Sequence, residues 1–167
     1  MDYNELDPEE FRDLTQAAGS TLVVSQSFEN GMKLILYCLC EKKIIDFSLE
    51  KALEIIEYRQ RKTLGQIFGV VKHKLNVNES DLGVLNDAVE RRNYFIHSII
   101  HENITRIINP SSRIDVITEI LEIRSLLLTA DRITANIIQE LLNLFDINFQ
   151  KLTENLNKEI ALINKKK

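Results

Sequence analysis

The chain has 167 residues, 44% hydrophobic and 28% charged, with a net charge of −4, five glycines, two prolines, two cysteines and no tryptophan. A domain of this length buries roughly 70% of its unfolded surface, so neither disulfides nor a structural metal are needed to hold it together. The shortage of glycine and proline excludes the frequent turns of a β-sandwich and the glycine-bearing turns of a doubly wound α/β fold, and the acidic balance argues against a nucleic-acid-coating protein.

What remains is a single all-α domain over residues 1–167. Asp7-Pro8-Glu9-Glu10 reads as a helix start, with Asp7 as cap, proline at the first helical position and Glu10 closing a capping box. This helix is expected to pause near Gly19-Ser20 and resume as Thr21–Lys43, which is rich in apolar residues such as Leu22, Val23, Phe28, Met32, Ile35 and Leu39. Cys38 and Cys40 lie two apart in that stretch and point about 200° away from each other on a helix. They read as buried, reduced thiols of a cytoplasmic protein. The longest apolar run, Leu34–Cys40, is far short of the ~20 residues that span a bilayer. The acidic Met1–Glu5 is unlike a signal peptide.

Ser48 is placed to cap a helix running to about Gln60, with Leu49, Ala52, Leu53 and Ile56 inside. A further segment from Thr63 to about Leu75 carries Gly65 and Gly69 four apart, which fits either a close helix–helix approach or a loop. Residues 51–80 carry six basic and three acidic side chains, against four and ten in residues 1–50. This basic island holds Arg59, Arg61, Lys62, Lys72 and Lys74, with Arg91 just beyond. It reads either as a solvated helix face or as a local surface for a polyanion such as RNA.

Asn76–Ser80 is a linker whose Asn78 or Ser80 caps a helix from about Asp81 to Asn103. Pro110-Ser111-Ser112 is the clearest boundary, with Ser112 and Asp115 as a capping box. From Ile114 apolar residues recur every seven, through Leu121, Leu128, Ala135, Leu142, Phe149 and Leu156 to Ile163. One helix over 112–163 would be about 78 Å long. It is therefore expected to break near Thr129–Thr134 or Asp146–Asn148, or to project and pair with another subunit. From Phe149 the apolar positions narrow to one stripe, which marks 149–167 as a terminal amphipathic helix with a basic tail.

The segment with chemical content is Arg92-Asn93-Tyr94-Phe95-Ile96-His97. Its helix has an apolar stripe at Leu82, Leu85, Val89, position 92, Ile96 and Ile99, and position 92 holds arginine. A guanidinium in a core is costly unless paired. One reading pairs Arg92 with a core carboxylate such as Glu29, Glu54 or Asp87 and leaves His97 as a satisfied, partly buried histidine. The other is a polar pocket joining a phosphate-stabilising arginine to a histidine able to move protons near neutral pH. Arg92 and His97 lie five apart, about 140° around a helix, so they converge through arginine's reach, a local irregularity or a second subunit. His97 and His101 share a helical spacing that can hold zinc, but no third ligand follows, so neither a metal nor a cofactor is expected.

The Arg92-Asn93-x3-His97 pattern resembles the signature of the HEPN superfamily, the higher eukaryote and prokaryote nucleotide-binding domains. The resemblance rests on this motif and on the all-helical architecture around it. It implies a four- to five-helix bundle, often dimeric, with two motifs facing each other across the interface. Many members are metal-independent endoribonucleases found as toxins or antiphage effectors, restrained by an antitoxin or regulatory partner. By that resemblance His97 is a general acid or base on the ribose 2′-hydroxyl or the leaving oxygen. Arg92 stabilises the charged phosphorane, Asn93 orients one of them, and the product is a 2′,3′-cyclic phosphate. Tyr94 reads as a packing residue or a base-stacking one. Members modified by a partner nucleotidyltransferase often carry tyrosine two residues after the histidine; here that position is Ile99, which puts such control in doubt. Two alternatives stand beside this reading: a non-catalytic nucleotide- or RNA-binding module using the same pocket, and a helical scaffold in which Arg92 forms a structural ion pair.

Overall fold

The computed structural model describes residues 8–56 and 64–165, and these are helical, with no strand among them. After a 3-10 turn at Pro8–Phe11 come α1 (Arg12–Glu41), α2 (Leu49–Ile56), α3 (Leu64–Val71), α4 (Glu79–His97), α5 (Ile99–Glu102), α6 (Ile104–Ile108), α7 (Pro110–Leu144) and α8 (Phe149–Lys165). Eight α-helical segments therefore stand where four or five were expected, for a local reason. The helix expected to run to Asn103 is interrupted at Ser98 (φ −124°, ψ −37°) and Asn103 (φ −110°, ψ 15°), so α4, α5 and α6 form one kinked rod.

Several boundaries follow from side chains that satisfy helix-end N–H groups. Ser48 Oγ accepts from the Lys51 amide, and Asn78 Oδ1 accepts from the Asp81 amide at 2.8 Å. The start of α7 differs from the expected capping box. Asn109 is its cap, accepting from the Ser111 amide, with Pro110 at the first position. Ser112 instead donates its hydroxyl to the Arg106 carbonyl.

Helix α1 is unbroken through Gly19-Ser20, and α7 through Thr129–Thr134; α7 breaks only at Phe145–Asn148. Glycine would ordinarily end such helices in the left-handed region. In this glycine-poor chain Lys43 (φ 54°) and Asp146 (φ 51°) do so. Each is followed by an amide bonded back five residues, Ile44 to Leu39 and Ile147 to Leu142.

Helices α1 and α7 form the centre of the bundle, with α4 on α7 and with α2 and α3 on α1. Thr21 meets the Ile120 carbonyl and Gly31 meets Thr134, so α1 and α7 run in the same direction. Gly31 is required for that approach, because a Cβ there would lie 2.5 Å from Thr134 Cγ2. The seven-residue repeat is not the buried stripe of α7, since Ile114 is 64% exposed and Leu121 44%. The core face is instead Val116, Ile120, Ile123, Leu127, Ala130, Thr134 and Ile137, spaced alternately four and three apart. Arg113, buried beside them, donates Nε to the Ile107 carbonyl and stacks 4.2 Å from the Phe11 ring. It thereby ties the end of α6 to the start of the chain. Helix α8 packs through Leu152, Leu156 and Ile160 on Leu34, Tyr37, Leu53 and Leu142, while Phe149 is largely exposed. No described helix is long and apolar enough to cross a membrane.

Candidate functional site

The inner face of α4 is Leu85, Ala88, Val89 and Phe95, continued by Ile99 of α5, with Arg92 among them as the sequence indicates. Phe95, rather than Ile96, completes the stripe beyond the arginine. The Arg92 side chain is 13% exposed and that of Glu29, on α1, only 7%. Arg92 Nη2 donates to Glu29 Oε2, and Arg92 Nη1 donates to Asn93 Oδ1 at 3.2 Å. The other carboxylate oxygen, Glu29 Oε1, lies 2.7 Å from Lys33 Nζ, one helical turn further along α1 and equally buried. Arg92 Nε is buried without a hydrogen-bond partner. A carboxylate thus sits between two cations in the core, hydrogen-bonded to Arg92 through one oxygen and ion-paired with Lys33 through the other. Among the three carboxylates weighed as partners for Arg92, Glu29 is the one it bonds.

His97 is placed differently. It occupies the last turn of α4, exposed, beside the kink at Ser98. It lines a shallow cleft of about 420 Å³ together with Phe95, Ile96, Ser98, Ile100, His101 and Ile104. Ile96, Ile100 and Ile104 lie four apart and are 36%, 48% and 52% exposed, so three isoleucines collar the two histidines. Arg92 and Asn93 are not among the walls of this cleft. Within one copy of the chain, then, the helix brings Arg92 and Asn93 together and turns His97 outward, as the 140° offset implies. The His97–His101 pair gains no third ligand: no cluster of three His, Cys, Asp or Glu suited to a metal occurs among the described residues.

Tyr94 is half-buried, and its hydroxyl accepts from Asn103 Nδ2 at 3.2 Å. Asn103, itself buried, also donates to the Ile99 carbonyl and accepts from Arg106 Nη1 at 2.6 Å. Arg106 in turn faces Asp115 and Glu119 of α7 at 3.9 Å. Tyr94 is therefore a strut of the α4–α6 kink. Of the basic island, Lys74 and Arg91 are exposed and Lys72 half-buried, while Arg59, Arg61 and Lys62 lie outside the described residues.

Two site residues, Lys33 and Asn103, carried no expectation in the sequence. Lys33 had a signal, since Glu29 and Lys33 form an i,i+4 ion-pair spacing just before the apolar run Leu34–Cys40. Asn103 had none, because its role depends on a kink. Both cysteines are buried as expected, and burial pushes the Cys40 thiol up to about 11. A cavity of about 590 Å³ between α1, α7 and α8 shares only Lys33 with these clusters.

Comparison of the chain with protein-family models, with curated proteins and with solved structures yields no match. Function is therefore argued from the site.

Proposed function

We propose that the protein is a HEPN-type endoribonuclease acting as a homodimer, with Arg92, Asn93 and His97 as its reacting set. The observation that carries this reading is the placement of His97. It is an exposed proton-transfer group collared by three exposed isoleucines, on the same helix as a buried, oriented arginine. Exposed apolar ridges of this kind mark surfaces that are covered by a partner. A second copy laid over the cleft would shield His97 from water and bring the other copy's motif to it. RNA supplies its own nucleophile. The 2′-hydroxyl attacks the adjacent phosphorus, the bond to the 5′-oxygen breaks, and a 2′,3′-cyclic phosphate is left. The protein has to move protons between these oxygens, through His97, and stabilise the phosphorane charge, through Arg92. Metal-independent action is consistent with that division of labour. Lys74 and Arg91 offer exposed positive charge for the RNA backbone. A cytoplasmic toxin or antiphage effector, held in check by an antitoxin or regulatory partner, is the biological setting that fits such an activity.

The test is cleavage of single-stranded RNA by wild-type and His97→Ala protein in EDTA. The reading requires cyclic-phosphate ends from the wild type and their loss in the variant. Binding without turnover would identify the non-catalytic module instead.

One observation favours a second reading. The buried Arg92–Glu29 pair is what a structural ion pair in a helical scaffold looks like. On that reading Arg92→Ala costs stability and changes no activity.

A further inference from the structure

We infer that Glu29 is a positioning residue for the proposed reaction, acting on RNA through Arg92; this rests on the ribonuclease reading above. Arginine on an apolar helix face has many rotamers and a long reach, and a guanidinium contributes to a transition state only where its N–H groups are already aimed. Three constraints fix it here. Glu29 of α1 accepts from Nη2, Asn93 accepts from Nη1, and burial to 13% exposure restricts the rest of the side chain. Glu29 is fixed in turn, because Lys33 holds its second oxygen at 2.7 Å and the pair is buried on α1. The carboxylate is thus bound on both sides and cannot rotate to follow the arginine. It sets where the guanidinium lies relative to α4.

Asn93 alone would not do this. It is the next residue on the same helix, so its bond to Arg92 moves with α4 and fixes nothing between helices. Glu29 is the contact that refers Arg92 to another helix, and α1 is at the centre of the bundle. The motif read as Arg92, Asn93 and His97 therefore has a fourth member, 63 positions earlier in the chain. Glu29 touches neither substrate nor reacting atoms and is not a catalytic residue.

The role separates from simple charge compensation through Glu29→Asp. Aspartate keeps the negative charge between Lys33 and Arg92 but withdraws it by one methylene. If Glu29 only neutralised buried cations, Glu29→Asp would keep most activity. If it positions Arg92, Glu29→Asp lowers kcat about 10- to 100-fold while KM changes by less than about threefold, since misplacing a reacting group by ~1 Å has effects of this order. Glu29→Gln, with similar shape and one acceptor, should behave alike.

The decisive measurement is a double-mutant cycle on RNA cleavage with full-length protein: wild type, Glu29→Asp, Arg92→Ala and the double variant, with circular dichroism as the check on folding. Positioning through Arg92 predicts that Glu29→Asp loses activity in the wild-type background and nothing further in the Arg92→Ala background. Equal losses in both backgrounds, or full activity in Glu29→Asp, overturn the role of Glu29 and leave the ribonuclease reading standing. Higher activity in Glu29→Asp overturns it too, since Glu29 would then restrain Arg92. Absence of cleavage by the wild type overturns both. Should Glu29→Asp fail to fold, Lys33→Met supplies the second variant. It frees one side of the carboxylate without changing its length, and must lower kcat through Arg92 in the same cycle or the assignment falls.

Discussion

Arg92 and His97 stand five residues apart on α4 in opposite environments. The first is 13% exposed, bonded to Glu29 and Asn93, and placed on the face that packs into the bundle. The second is exposed, at the end of the helix, in a cleft whose rim is isoleucine. On the proposed reading, one helix separates the two halves of the reaction, with charge stabilisation held inside and proton transfer held at the surface. On that reading, substitutions at the inner half should cost stability as well as activity, and those at the outer half activity and association with little stability.

The largest effect is expected at the outer half. His97→Ala should reduce RNA cleavage by about 10²- to 10⁴-fold, the usual contribution of a positioned acid or base. Its stability should stay within about 0.5 kcal/mol of wild type, since the side chain is exposed; cleavage rates and denaturant titration on the same samples check both. The inner half should answer in the other currency. Glu29→Ala leaves Lys33 and Arg92 without their shared carboxylate and should destabilise by about 3–5 kcal/mol. Arg92→Ala should lose less, about 1–3 kcal/mol, because Lys33 still holds Glu29. If Arg92→Ala were the costlier of the two, Glu29 would not be the hub of the cluster.

How much of this contrast was legible in the sequence depends on how local each feature is. Arg92 on an apolar stripe, the cap at Asn78 and the amphipathic stripe of α8 follow from spacing alone, and the structure has each of them. The seven-residue repeat from Ile114 correctly implied a break near Asp146–Asn148 but does not mark the core face of α7, because apolar residues also stand on its outer face. The expected pause at Gly19-Ser20 is absent, since tertiary packing along α1 overrides the weak helix propensity of glycine. Glu29 could be named only as one of three carboxylates, because choosing among them requires knowing that α7, on which both α1 and α4 pack, brings Glu29 within reach of Arg92. The kink at Ser98, just beyond His97, has no glycine or proline to announce it.

Association gives a sharper test of the outer half. Ile100→Asp should leave the isolated fold within about 0.5 kcal/mol of wild type, while weakening self-association tenfold or more, measured by static light scattering across a dilution series. Undiminished association would remove the isoleucine collar from the interface.

The smallest effect concerns the buried end of α1 and appears only in alkali. Burial raises the Cys40 thiol from 9.0 to about 11, and burial with nearby Glu41 raises the Tyr37 hydroxyl from 10.0 to about 12. The unfolded chain releases both protons at lower pH than the folded one. Stability from these groups is therefore fully present below pH 9 and declines as pH rises through about 11 and 12. Thermal melts from pH 8 to 11 should show this decline, and Cys40→Ala should lessen it.

The account turns on Arg92 of one copy meeting His97 of another, and subunit mixing tests that most directly. Arg92→Ala and His97→Ala proteins, each expected to keep only a small residual activity alone, are unfolded together, refolded and assayed on single-stranded RNA. If each site draws Arg92 from one copy and His97 from its partner, mixed dimers contain one intact site and the mixture recovers about a quarter of wild-type activity. If no activity returns although mixed dimers form, the two residues do not meet across a dimer, and the central claim is contradicted.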